Sequence, residues 1–117
     1  MRDPDPEVAG IIQAEAERLG VVPRDWTDER IVERGVLARV REGAYLLERQ
    51  VARCPSDIDV IRCNVYGFPR ERVGPMFHGA TLGCQHVLSR MREFAAEPVG
   101  EYWVPPAYVE RLATSPC

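Results

Sequence analysis

Residues 55–75 read P-S-D-I-D-V-I-R-C-N-V-Y-G-F-P-R-E-R-V-G-P. Ser56 is a favoured helix N-cap, and Asp57 and Asp59 place negative charge in the first turn, against the positive end of the helix dipole and its unpaired N–H groups. A short helix is predicted to start here. Gly67 supplies a permissive backbone and Pro69 disfavours helical geometry at Phe68, so the helix stops and Phe68 is left as an aromatic anchor between two breakers. Gly74-Pro75 makes the next turn and puts Pro75 at the opening position of another helix. The stretch is a helix, a rigid corner and a new helix.

Upstream, Asp5 caps a first helix that opens on Pro6, carries Val8, Ile11, Ile12, Ala16 and Leu19 on one face, and ends at Gly20. A connection interrupted by Pro23 leads to Thr27, the N-cap of a second helix whose first turn holds Asp28 and Glu29. Val32, Val36, Val40, Leu47 and Val51 follow helical spacing, and Gly43 falls on the same stripe, where it lets another helix approach closely. Ile31, Leu37, Ala44 and Leu46 widen that surface, so neighbours are expected on more than one side. The pattern predicts a central rod of about 25 residues, on the order of 37 Å, with Gly35 and Gly43 as its possible kinks.

Downstream, Pro75–Leu82 reads as a short helix, and Val87, Leu88, Met91, Phe94 and Ala95 mark an amphipathic helix ending near Pro98. Gly100–Pro106 is irregular, with Tyr102 and Trp103 as packing anchors, and a last short helix covers about Ala107–Ala113. There is no sustained period-2 alternation. The fold class is all-α, a single helical domain of five to six helices over residues 1–117.

With 117 residues and 45% hydrophobic content the chain can bury the core of one domain and is too short for two ordinary ones. The net charge of -3 argues against a general nucleic-acid binder. Every basic residue is arginine, which suits local recognition of phosphate or carboxylate groups. Cys54, Cys63, Cys84 and Cys117 are scattered, with no C-x-x-C pair and no leader ahead of them, so reduced thiols and a cytoplasmic location are expected. No apolar run approaches the roughly 18 residues of a membrane span.

His78, Cys84 and His86 are three residue types that zinc accepts, but their spacing matches no recognised finger, and Cys84 and His86 do not face one another on a helix. Packing is the reading for them, and no metal is expected. The dinucleotide motif G-x-G-x-x-G and the βαβ pattern that would surround it are missing from the sequence.

The ordered set D-I-D-V, Y-G-F-P-R and G-P-M-F resembles the C-terminal helical domain of the L-3-hydroxyacyl-CoA dehydrogenase family. It is most similar to the final repeat of that domain in the multifunctional enzymes of fatty-acid β-oxidation. Asp5-Pro6-Glu7-Val8, T-D-E-R-I-V-E-R from Thr27, R-E-G-A from Arg41 and W-V-P-P from Trp103 extend the likeness over most of the chain. The resemblance implies a 6-phosphogluconate dehydrogenase C-terminal-like fold. In that family the NAD site and the catalytic His–Glu pair belong to a separate Rossmann domain, so no catalytic or cofactor-binding residue is assigned here.

What the resemblance implies for function is a non-catalytic helical dimerisation and substrate-cleft domain. A homodimer or a Rossmann-domain dehydrogenase partner is expected, with NAD reached only through that partner. Val36, Val40, Gly43 and Leu47, with the corner Gly67, Phe68, Pro69 and Pro75, form the expected packing and interface set. Arg62, Arg70 and Arg72 are the expected contacts for the phosphates of an acyl-CoA. The alternatives are a split subunit or fragment of an active dehydrogenase, and a stand-alone acyl-CoA-binding protein. The departures from the family are Arg41-Glu42 where the second helix usually carries N-E, Gln50 where it usually ends near a glycine, Val73-Gly74-Pro75 for the usual G-G-P, and Gly79-Ala80 for the A-D that often precedes the next helix.

Overall fold

A computed structural model describes residues 5–22 and 24–114. Pro23 and Cys117, both named above, lie outside them. Asp5 accepts a hydrogen bond from the Glu7 N–H at 2.9 Å, Pro6 takes the first position of helix α1 (Pro6–Leu19), and Gly20 closes it in the left-handed region at φ 72°. The apolar stripe of α1 is present but covers nothing: Val8, Ile11 and Ile12 are all more than half exposed.

Helix α2 (Asp28–Glu48) opens on Thr27, whose hydroxyl accepts from the Arg30 N–H at 3.3 Å. It runs unbroken through Gly35 and Gly43 and packs on α3, α4 and α6, the central rod that its apolar pattern predicts. At 21 residues it is about 31 Å long, shorter than the pattern suggested. Gln50, at φ 60°, turns the chain into the left-handed region, donating its N–H to the Leu47 carbonyl at 3.1 Å while Val51 donates to Leu46 at 2.9 Å. That paired closure satisfies the end carbonyls and stops the helix before Val51.

Helices α3 (Pro55–Asn64), α4 (Pro75–Leu82), α5 (Cys84–Ala95) and α6 (Ala107–Thr114) follow, with 3-10 turns at Arg70–Arg72 and Gly100–Trp103. Among the described residues there is no strand. The core forms where Leu37, Val40 and Ala44 of α2 meet Val87, Leu88, Met91 and Phe94 of α5 and Val109 and Ala113 of α6. The α5 positions are those the sequence spacing selects. Trp103 seals one end, its ring edge-on to Phe94 with centroids 4.9 Å apart.

The start of α3 corrects the sequence reading. Pro55, not Ser56, occupies the first turn's opening position, because its fixed φ suits it; the N-cap is Cys54, which makes no side-chain cap bond. Asp57 stays in the exposed first turn. Asp59 lies beyond the first turn of its own helix and is buried.

The corner carries one local conflict. Val73 sits at φ 68°, a region that a β-branched side chain enters only with strain. Its side chain is half exposed, so glycine forfeits little packing there. Val73→Gly is expected to raise unfolding free energy by about 1 kcal/mol, with Gln50→Gly giving a smaller gain. A higher urea midpoint at unchanged m-value is the sign of it; a lower midpoint sinks the idea.

Candidate functional site

The corner brings α3 and α4 together through one carboxylate. Asp59 Oδ1 accepts from the Met76 N–H at 2.7 Å and Oδ2 from the Phe77 N–H at 3.0 Å, so an aspartate of α3 caps the next helix. Pro75, fully buried, leads α4 into that carboxylate. Gly74 makes room for it: a β-carbon there would stand 2.4 Å from both Cβ and Cγ of Asp59. Asp59 thus spends both oxygens on main-chain donors, which explains its burial without acid–base chemistry.

Beside this cap lies an apolar cleft of about 410 Å³, bounded by α2, the start of α3, α4, α5 and α6. Val40 and Ala44 form its floor, Met76, Phe77 and Ala80 one wall, and Val87, Tyr108, Val109 and Leu112 the other. Small residues create the space. A β-carbon on Gly79 would come within 3.1 Å of a Val40 methyl, so α4 lies close upon α2. Gly43 plays the same part further along, where a β-carbon would meet Met76 Sδ at 2.3 Å. That is the close helix approach expected of Gly43.

The packing residues named from sequence fall as follows. Val36, Val40, Gly43 and Phe68 are buried, Leu47 is half-buried, and Pro69 is exposed. Gly67 takes φ 68°, the permissive backbone the corner needs.

The three arginines do not share a cleft. Arg62 lies over the Tyr66 ring at 5.1 Å in a cleft with Leu46 and Val51, whereas Arg72 faces His78 and His86. Arg70 donates to Asn64 Oδ1 at 3.2 Å. Among the described residues no group of three or more His, Cys, Asp or Glu is placed to hold a metal ion.

Sequence reasoning missed a polar belt at the α2–α5 end. Arg34 lies over Phe94 at 4.1 Å and Trp26 at 4.7 Å and pairs with Glu97 at 2.5 Å, which Arg24 also reaches at 2.8 Å. Burial pushes Glu97 upward, but the two guanidinium groups outweigh it and hold the carboxyl below its ordinary range. Arg90 grips both oxygens of Glu33, at 2.6 and 3.1 Å, and holds that carboxyl low as well. The only signal in the sequence was the richness in arginine.

No protein-family model matches the chain. Curated relatives do. A peroxisomal bifunctional enzyme of Danio rerio is 41% identical over 91 residues, 78% of this chain and 13% of the relative. One of Cavia porcellus is 31% identical over 112 residues, 95% of this chain and 15% of the relative. The chain is homologous to a part of the multifunctional β-oxidation enzymes. A peroxisomal fatty acid beta-oxidation multifunctional protein of Oryza sativa subsp. japonica, 29% identical over 94% of this chain, extends the relationship to plants. The resemblance read from D-I-D-V, Y-G-F-P-R and G-P-M-F is therefore one of descent along most of the chain, to the C-terminal part of such enzymes. The chain spans about 13–16% of the length of these relatives. Among the described residues no helix is long and apolar enough to cross a membrane.

Proposed function

We propose that the chain is a single helical domain that supplies an apolar wall for an acyl-CoA and a packing surface for another protein unit, without catalytic groups of its own. It is the counterpart of the C-terminal helical part of an NAD-dependent 3-hydroxyacyl-CoA dehydrogenase. The observation that carries this reading is the cleft of about 410 Å³, whose one carboxylate is already committed to capping α4. A cleft so lined favours a hydrocarbon over a polar substrate. Both oxygens of its one buried acid are engaged by main-chain N–H groups of α4.

The packing surface is supported by the outer face of α3 and the turn that follows it, where Val60, Ile61, Val65 and Tyr66 are all more than half exposed. A homodimer, or a complex with a Rossmann-domain dehydrogenase that brings NAD, would cover it. Of Arg62, Arg70 and Arg72, expected from sequence to meet the coenzyme A phosphates, Arg62 and Arg70 keep that proposed role, and Arg72 lines a different cleft from Arg62. Cytoplasmic residence is the expectation from sequence, while the relatives' names carry the peroxisome, and microscopy of a tagged chain separates the two.

Light scattering over a concentration range, alone and with NAD and an acyl-CoA, tests the proposal. The expected result is a dimer without ligand, with acyl-CoA bound by the wild type and weakened at least about tenfold by Ala80→Phe, which fills the cleft from an exposed position. NAD alone should not bind. Equal acyl-CoA binding by Ala80→Phe removes the cleft from the reading, and a well-behaved monomer at all concentrations removes the self-association.

A further inference from the structure

On the side of α4 away from the apolar cleft lies a second one, of about 280 Å³, in which Arg72, His78 and His86 face a floor that includes Val32, Val36 and Leu82. The three nitrogen-bearing side chains arrive from separate elements: the 3-10 turn, α4 and the first turn of α5. Among the described residues no carboxylate pairs with Arg72. Two acids also face the cleft from α2, Glu29 and Glu33. Glu33 is neutralised, since Arg90 of α5 binds both its oxygens. Among the described residues that line the cleft, this leaves Glu29 to oppose an anion.

We propose that this cleft binds a small monocarboxylate with a short hydrocarbon body, the carboxylate on Arg72 and the body on the valine and leucine floor. A guanidinium forms paired hydrogen bonds with a carboxylate, whereas the apolar floor gives nothing to a bare inorganic anion.

The test is an NMR and calorimetric titration of the whole chain with sodium hexanoate, and with hexan-1-ol and inorganic phosphate as controls. Hexanoate should bind at least about tenfold tighter than either control and perturb both histidine ring signals. Arg72 is exposed, so Arg72→Ala keeps the fold. It should weaken hexanoate binding about tenfold, and Glu29→Gln should strengthen binding. Hexan-1-ol or phosphate binding as tightly as hexanoate overturns the proposal, as does hexanoate bound equally by Arg72→Ala.

Discussion

Asp59→Ala is expected to destabilise the chain by about 2–3 kcal/mol, because losing this helix cap leaves two main-chain N–H groups without acceptors. The Met76 and Phe77 N–H groups are the first donors of α4, and no residue of α4 itself or of Gly74 supplies a side-chain acceptor. Gly74→Ala should cost a comparable amount by a different route. The Gly74 backbone is extended, with φ 162°, so alanine meets no conformational barrier there. Its β-carbon would instead fall 2.4 Å from Asp59 Cβ, an atom fixed to the α3 backbone, and α3 and α4 must part to admit it. Parting them breaks the same two hydrogen bonds. The double variant should therefore be less destabilised than the two singles together, by at least about 1 kcal/mol. Urea unfolding of the four proteins measures this; strict additivity would mean that Gly74 and Asp59 are not parts of one device.

The local elements were legible because each is written in adjacent residues. Asp5 with Pro6, Thr27 with Asp28, and Pro75 after Gly74 mark helix starts that the structure retains, and the spacing of Val87, Leu88, Met91 and Phe94 identifies the core face of α5. What was not legible depends on pairings between distant residues. Asp59 looked like a charge for its own helix because first-turn acids are common there; its partners are 17 and 18 residues away. The end of α2 was overrun because Gln50 does not advertise a left-handed stop as glycine would. The apolar cleft is a matter of what the small residues Ala44, Gly79 and Ala80 leave unfilled across two helices, and no single window of sequence records that. Likewise, Arg72 stands near Arg62 in the chain, but the corner places the two in different clefts.

Trp103→Ala should have the largest effect of any single side-chain truncation at the α5 end, about 3–5 kcal/mol. Trp103 is 9% exposed, its ring meets Phe94 edge-on at 4.9 Å and Tyr102 at 5.2 Å, and Arg34 lies 5.9 Å from its centroid. Removing the indole opens a void beside Phe94 and deprives the Arg34 layer of an aromatic neighbour. The surrounding chain cannot close that void cheaply. Gly100, at the start of the same 3-10 turn, already lies so near that a β-carbon would stand 2.4 Å from the Ala95 carbonyl oxygen, which pins the turn against the end of α5. A void that cannot collapse costs more than the transfer of the lost atoms alone. Trp103→Phe, which keeps an aromatic ring against Phe94, should recover at least half of the loss. Urea midpoints of the three proteins decide it: equal losses for Ala and Phe would locate the energy in the indole N–H rather than in packing, and a loss below about 1 kcal/mol for Ala would show that the turn can move inward after all.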